Sequence, residues 1–433
     1  MKLGKALFLS LSCIFFLLVL SSFDVQESED GSYMEELFSE EEYPPDMDTL
    51  EEFIQSYYLL LDSNEYLNRY KFIHMEDNSL QNDTKPLKGF YEKLMQLRSG
   101  LRQRVSIYQI GDSHIQSGYF PGTARSSLQK YFGNAGRGLV FPLRLAGTNQ
   151  PDDYRISSTG GFSRSNNQRG ICGYALNSSG NGSLELSTNS FFSQDPSFDI
   201  LSIISSQPGL KAEPKTGSKE LVDLSLDGYR YQSIAWDQPQ KSATLSFKGE
   251  ASTLYGLMLE KDQPGLLYHS TGINGAGFYN LLESPKLFEQ IGILSPDLIV
   301  ISLGTNDAQG TYRNDVFTAN LKKFMQLLRQ SNPDTPVLFT LPPDSQKKGR
   351  HNADLAKVEK VIMDYAKDNG CAWWDLSDVM GGKGSVIKWR GEQMASKDLL
   401  HYTPKGYMLQ GYLFYQAFVK SYKKYSENYD SKD

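Results

Sequence analysis

The chain has few cysteines and few histidines, three and five among 433 residues. Cys13 sits in the first apolar run, which leaves Cys172 and Cys371, far apart in sequence. A fold that depends on a disulfide framework is thereby excluded, although an exported setting would permit a bridge. The scattered histidines and cysteines offer no metal-ligand spacing, so neither a metal nor another cofactor is expected. Excess positive charge is missing as well. Lys and Arg number 44 against 51 Asp and Glu, a net charge of −7 with no basic patch, which argues against nucleic acid as a partner. Beyond Phe23 no apolar run is long enough to span a membrane. There is no internal repeat.

What is present is ample material for a core. Hydrophobic residues make up 39% of the chain and aromatics 12%, with 37 glycines, the composition of a folded, loop-rich chain rather than a disordered one. At the N-terminus Lys2 and Lys5 precede an apolar run that ends at Ser21, Ser22 and Phe23. Residues 1–23 thus have the pattern of a secretory signal cleaved near the two serines. The same run is nearly long enough to persist as an uncleaved anchor. In either case the chain is expected to be exported, to the periplasm, the cell surface or the medium. Residues 24–52 are strongly acidic, with Glu40-Glu41-Glu42 followed by Pro44-Pro45, and read as an exposed linker. Residues 53–104 carry apolar positions at helical spacing, among them Phe53, Tyr57, Phe90, Leu94 and Leu97, and read as a helical lead-in.

A buried strand is predicted over 105–110, then a sharp turn and a helix over 121–131, the first unit of a parallel α/β sheet. The alternation returns later. Strands are predicted over 297–303, 336–341 and 371–376, with helices over 314–329 and 353–368 between them. Thr403 and Pro404 supply the cap and first position of a terminal helix. Residues 147–256 break this rhythm. Short β-type runs there are separated by turn pairs such as Asn181-Gly182 and Asp227-Gly228, which predicts an inserted β-rich subdomain.

Ser113 follows the first strand, in Gly111-Asp112-Ser113-His114. A serine hydroxyl is a poor nucleophile until a base removes its proton. At a strand end, the backbone N–H groups that follow can face a bound carbonyl oxygen. A helix-capping serine fits the same position. The histidine with the best surroundings is His401, in Asp398-Leu399-Leu400-His401. An Asp three residues earlier can fold back within one turn and accept the imidazole Nδ1–H, fixing the tautomer and stabilising an imidazolium. A capping Asp beside a surface histidine gives the same string. His114 adjoins the serine too closely to serve it as base, and is read as a pocket-lining or structural residue, with Asp112 as pocket-lining. His74, His269 and His351 have no acidic partner at a useful spacing. Asn306, in Gly304-Thr305-Asn306-Asp307, lies at the same carboxyl edge as Ser113, and its amide can donate to an oxyanion, a contact worth about 3 kcal/mol. A plain polar turn is the alternative. The glycines of 272–277 allow close backbone approach to a ligand. With no lysine after them and the wrong spacing, they form neither a phosphate loop nor a dinucleotide fingerprint.

Together and in this order, the four blocks resemble those of the SGNH hydrolases, the GDSL-type esterase superfamily. The resemblance covers about residues 105–425 without the β-rich stretch. It implies an α/β, SGNH-type three-layer fold with a central parallel sheet, carried by 105–146 and 257–426 and interrupted by a sandwich-like insertion. It implies Ser113 as nucleophile, His401 as general base and then acid, and Asp398 as its orienting partner. The oxyanion hole would be the N–H groups of Ser113 and Gly275 with the Asn306 side chain. His114 stands where leucine is usual. This departure, the insertion and the closing His401-Tyr402-Thr403-Pro404-Lys405-Gly406-Tyr407 resemble the peptidoglycan O-acetylesterase branch, in which the insertion is similar to a carbohydrate-binding module. The implied activity is hydrolysis of O-acetyl esters on peptidoglycan or another acetylated polysaccharide through an acyl-serine intermediate, with no obligatory protein partner. An O-acetyltransferase on the same scaffold and a non-catalytic glycan-binding envelope protein are the alternatives, since a fold does not choose its substrate.

Overall fold

The computed structural model describes residues 47–430 except 63, 167–168, 208, 214–216 and 227. The expected signal or anchor and residues 24–46 of the expected linker lie outside the described residues. Residues 47–52 do not belong to a linker: they open the helix Met47–Leu61, whose Ile54, Tyr57 and Leu61 are buried. Acidic residues suit a solvated linker, but in a first helical turn they also complement the helix dipole. The lead-in also contributes a strand, Leu80–Gln81, so it is not helical throughout.

A six-stranded sheet forms the centre. Its spatial order is Leu80–Gln81, Ala372–Trp374, Val337–Thr340, Leu298–Ser302, Arg104–Gly111 and Gly265–Gly272. The last five are parallel, and Leu80–Gln81 alone runs antiparallel at the edge. Successive side chains point to opposite faces of a strand, and the two faces enter different cores. Val105, Ile107, Leu298, Val300 and Leu338 pack with the helices Met47–Leu61, Lys88–Arg98, Tyr119–Phe132 and Pro404–Asp430. Ile110, Ile299, Ile301, Val337 and Phe339 pack with Pro285–Leu294, Asn314–Ser331 and Leu355–Asp368. This is the three-layer α/β arrangement. Burying each such aliphatic side chain is worth roughly 1.5–3 kcal/mol, which is what makes both helical layers adhere.

Two antiparallel sheets occupy the chain between Arg104–Gly111 and Gly265–Gly272. One has seven strands, including Phe198–Ser206, Tyr229–Gln240 and Ser252–Glu260; the other has four, Tyr154–Ser158, Gly182–Thr188, Ser242–Gly249 and Leu210–Glu213. Antiparallel pairing reaches beyond residues 147–256 at both ends, because Gly138–Val140 pairs with Ser252–Glu260. Leu201 and Ile203 of one sheet and Leu184, Leu186 and Phe247 of the other belong to the same buried cluster as Ile110 and Ile299. The insertion therefore shares a core with the parallel sheet. A buried ion cluster reinforces the junction: Asp153 accepts from Arg125 Nη2 at 2.6 Å and from Arg137 Nε at 3.0 Å.

Candidate active site

Three strand ends assemble the site. Gly272 and Ser302 each stand opposite Gly111 in parallel register, so the turns carrying Ser113, Gly275 and Asn306 leave the sheet side by side. The first turn is sharp because Gly111 lacks a side chain: a Cβ there would lie 2.3 Å from Ile115 Cγ1 and 2.8 Å from the Ser302 carbonyl oxygen. Asp112 then caps the one-turn helix Ser113–Gln116 by accepting the His114 N–H at 3.0 Å. Ser113 heads that turn.

His401 comes from the other end of the chain. Its Nε2 lies 3.1 Å from Ser113 Oγ, and its Nδ1 lies 2.6 Å from Asp398 Oδ2. The second carboxylate oxygen of Asp398 accepts the backbone N–H groups of Leu400 and His401, both at 2.9 Å. Burial works to raise the Asp398 carboxyl. The bond to His401, the histidine's charge and the two N–H groups outweigh it and hold the group at about 2. The tight turn forces Leu399 to φ 54°, in the left-handed region. A side chain held there costs of order 1–3 kcal/mol. The Leu399 N–H donates to Ser396 O at 3.1 Å, and Gln346 N–H donates to Leu399 O at 2.8 Å, which pins the turn to the loop after Val337–Thr340.

The remaining expected residues fall around this line of bonds. Asn306 Nδ2 donates to the Ala276 carbonyl at 2.9 Å and approaches Asp112 Oδ2 at 3.5 Å. One of its N–H groups is thus held and the other only loosely engaged. Gly275 sits at φ 71°, and no acceptor among the described residues takes its N–H. Asp112 is buried. Burial and the neighbouring Asp307 push its carboxyl up to about 7, against the pull of the His114 N–H and Thr305. His114 is also buried, and burial together with His401 pushes it down to about 3, so it is neutral. Its ring lies 5.4 Å from that of His401, and its Nδ1 is 3.0 Å from the Tyr407 hydroxyl. Asp112 caps the turn, and His114, as buried as Ser113 itself, packs against the His401 ring.

Two histidines read as lacking acidic partners gain them from tertiary structure. His74 Nδ1 lies 3.6 Å from Asp378, with Asp77 close by in an exposed group, and His351 Nδ1 lies 3.6 Å from buried Asp344. Asp378 is remote from His74 in sequence, and Asp344 is brought to His351 by the hairpin that pairs Gln346–Lys347 with Arg350–His351. Cys172 and Cys371 are free and buried. No described helix is long and apolar enough to cross a membrane. Gln116, which joins the serine turn to the insertion, carries no local signal in the sequence: a buried glutamine after a strand looks like any polar turn residue.

Residues 247–409 match the model of the GDSL-like lipase/acylhydrolase family. That span begins after Ser113, as expected when a long insertion separates the first block from the rest. A "Multidomain esterase" of Ruminococcus flavefaciens is 28% identical over 158 residues, 34% of this chain and 20% of that protein. The chain thus matches about a fifth of that relative's length. Among solved structures, one described as "Peptidoglycan O-acetylesterase in action" superposes with a TM-score of 0.65 at 21% identity, over 80% of this chain and 99% of that one. At that identity the likeness shows a shared fold. It includes the insertion, since the hydrolase sheet alone would not account for so large a share.

Proposed function

We propose that this chain, which carries a GDSL-like lipase/acylhydrolase domain, is an exported serine esterase that hydrolyses O-acetyl esters on peptidoglycan or another polysaccharide. The observation that carries the proposal is the unbroken line Asp398 Oδ2, His401, Ser113 Oγ, with contacts of 2.6 and 3.1 Å, at the carboxyl edge of a parallel sheet. In the first step Ser113 Oγ attacks the acetyl carbonyl and its proton passes to His401 Nε2. Negative charge on the carbonyl oxygen is met by the N–H groups of Ser113 and Gly275 and by Asn306, whose loosely held N–H gives up its 3.5 Å approach to Asp112. The C–O bond to the sugar breaks as His401 returns the proton to the leaving hydroxyl. Water then attacks the acetyl-serine by the same route, releasing acetate. Asp398 stays ionised throughout, consistent with a carboxyl held at about 2.

The family match supports ester hydrolysis, the likeness to a peptidoglycan O-acetylesterase supports an acetylated glycan, and the sequence pattern of residues 1–23 supports export. The test compares the protein with Ser113→Ala on a chromogenic acetate ester and on O-acetylated glycan. Loss of activity by about 10⁴-fold or more is expected. Equal activity in both would remove Ser113 from the mechanism. Acetate appearing in step with ester loss marks hydrolysis, whereas acetyl groups on an added glycan mark transfer.

A further inference from the structure

The serine turn, the glycine turn and the insertion meet in a network of uncharged side chains. Gln116, at the end of the one-turn helix that Ser113 heads, is 2% exposed and forms its hub. Its Oε1 accepts the Asn274 backbone N–H at 2.7 Å and the Tyr174 hydroxyl at 3.0 Å. Its Nε2 donates to Thr148 Oγ1 at 2.6 Å and to Asn149 Oδ1 at 2.9 Å. Asn274 Nδ2 donates to the same Asn149 oxygen at 2.8 Å.

Two amide donors therefore converge on one carboxamide oxygen. That convergence fixes the orientation of Asn149, because a carboxamide has one acceptor end and one donor end. Its oxygen faces inward and its NH₂ faces away from the network. No acceptor among the described residues takes that NH₂. Thr148, Asn149, Tyr174 and Asn274 are all partly exposed in front of the buried Gln116. Asn274 immediately precedes Gly275, so this surface adjoins the position given above to the oxyanion.

The chemistry of the cluster selects its ligand. It offers amides and hydroxyls and carries no formal charge. A carboxylate would find no cation in it, and a bare alkyl or aryl group would gain nothing from its donors. A neutral sugar, with hydroxyl, ring and acetamido oxygens, matches it. We propose that Thr148 and Asn149, with Tyr174 and Asn274, form the subsite that holds the neutral sugar bearing the ester. Asn149 donates its outward N–H groups to a sugar oxygen. The insertion thereby takes part in recognition beside the serine itself. This rests on the esterase reading above.

The test uses Asn149→Asp, which keeps the shape and the inward acceptor but replaces the outward donors with a carboxylate oxygen. The readout is the ratio of kcat/KM for O-acetylated chitotriose to kcat/KM for p-nitrophenyl acetate. In the unaltered protein the sugar ester is preferred. In the variant the ratio falls about tenfold or more, mainly through KM, because a site built to donate hydrogen bonds loses most when its donors go. Thr148→Val, which removes the hydroxyl that accepts from Gln116 and Asn274, lowers the same ratio. An unchanged ratio in both variants, or no preference for the sugar ester in the unaltered protein, overturns the subsite. If the unaltered protein cleaves neither ester, the esterase reading itself fails, a result distinct from the first two.

Discussion

Replacing Asp398 with asparagine should disable the site through a proton on the wrong nitrogen, with the geometry left in place. Oδ1 of Asp398 accepts two backbone N–H groups at 2.9 Å, and only an oxygen can keep both bonds. In Asp398→Asn the amide must therefore place its oxygen there and its NH₂ where Oδ2 now meets His401 Nδ1 at 2.6 Å. An NH₂ donates. His401 must then accept at Nδ1 and carry its proton on Nε2, the nitrogen that faces Ser113 Oγ at 3.1 Å. An imidazole protonated there cannot take the serine proton. The expected loss in kcat is about 10⁴-fold, or roughly 5 kcal/mol on the barrier, the size such tautomer inversions produce. Asp398→Ala imposes no tautomer and should retain more activity than the asparagine variant. Thermal melting of Asp398→Asn should fall less than that of Asp398→Ala, because both backbone bonds survive. The assay is kcat on a chromogenic acetate ester for all three proteins. If Asp398→Asn kept activity within tenfold of the parent, or exceeded Asp398→Ala, the orientation argument would be refuted.

Asp112 predicts a pH dependence of stability. Its folded-state carboxyl is raised to about 7 from 3.8, so the native state binds more protons than the unfolded one between those values. Its contribution is then most favourable below about 4 and is lost as pH rises through 7. Asp112→Asn should flatten the fall in melting temperature between pH 5 and 8, an effect of up to a few kcal/mol; parallel profiles would contradict it. Gly111→Ala places a methyl 2.8 Å from the Ser302 carbonyl, which is backbone and cannot step aside. It should lower stability by about 1–3 kcal/mol in urea unfolding, and activity with it, whereas a change below about 0.5 kcal/mol would mean the turn has slack. Asp153→Ala leaves Arg125 and Arg137 buried without their carboxylate and should cost about 3–5 kcal/mol by the same measurement. A loss under about 1 kcal/mol would show that water replaces it.

Much of the fold could be read from local pattern. The stretches 297–303 and 336–341 are continuous apolar runs, and each lies over a strand of the parallel sheet, Leu298–Ser302 and Val337–Thr340. Gly265–Gly272 escaped notice for a physical reason. It has glycine at both ends, and buried His269 and Thr271 interrupt its apolar character. The helix start at Met47 was hidden because acidic residues serve a solvated linker and a first helical turn equally well. In the site, Ser113, Asp398 and His401 stood out through neighbours close in sequence. The bonds that join Gln116 to Thr148, Asn149 and Tyr174 span separations of 32, 33 and 58 residues, and no local pattern encodes them. The same holds for His114 and Tyr407, 293 residues apart.

The register of two strands explains how a long insertion can interrupt the hydrolase without displacing its site. Arg104–Gly111 and Gly265–Gly272 pair in parallel over their full length, from Gly265 opposite Arg104 to Gly272 opposite Gly111. A slip of one residue would turn Leu266 and Tyr268 from the core they fit toward the other and bring Leu267 the opposite way, a misfit in both cores that costs about 1–3 kcal/mol at each such side chain. That cost holds the end of one strand against the end of the other whatever chain lies between them. The Ile273 N–H then donates to the Gly111 carbonyl at 3.0 Å, carrying the pairing one step past the sheet and into the two turns. The insertion is therefore free to grow outward from the opposite ends, where Gly138–Val140 and Ser252–Glu260 pair. It returns toward the serine through several contacts, such as the Tyr119 hydroxyl to Asp152 and the Thr271 hydroxyl to the Ile171 carbonyl, both at 2.8 Å, and one of them is the polar network around Gln116, which holds Asn274 beside Gly275. That contact is where a change in the insertion can alter substrate choice without moving the serine or its histidine.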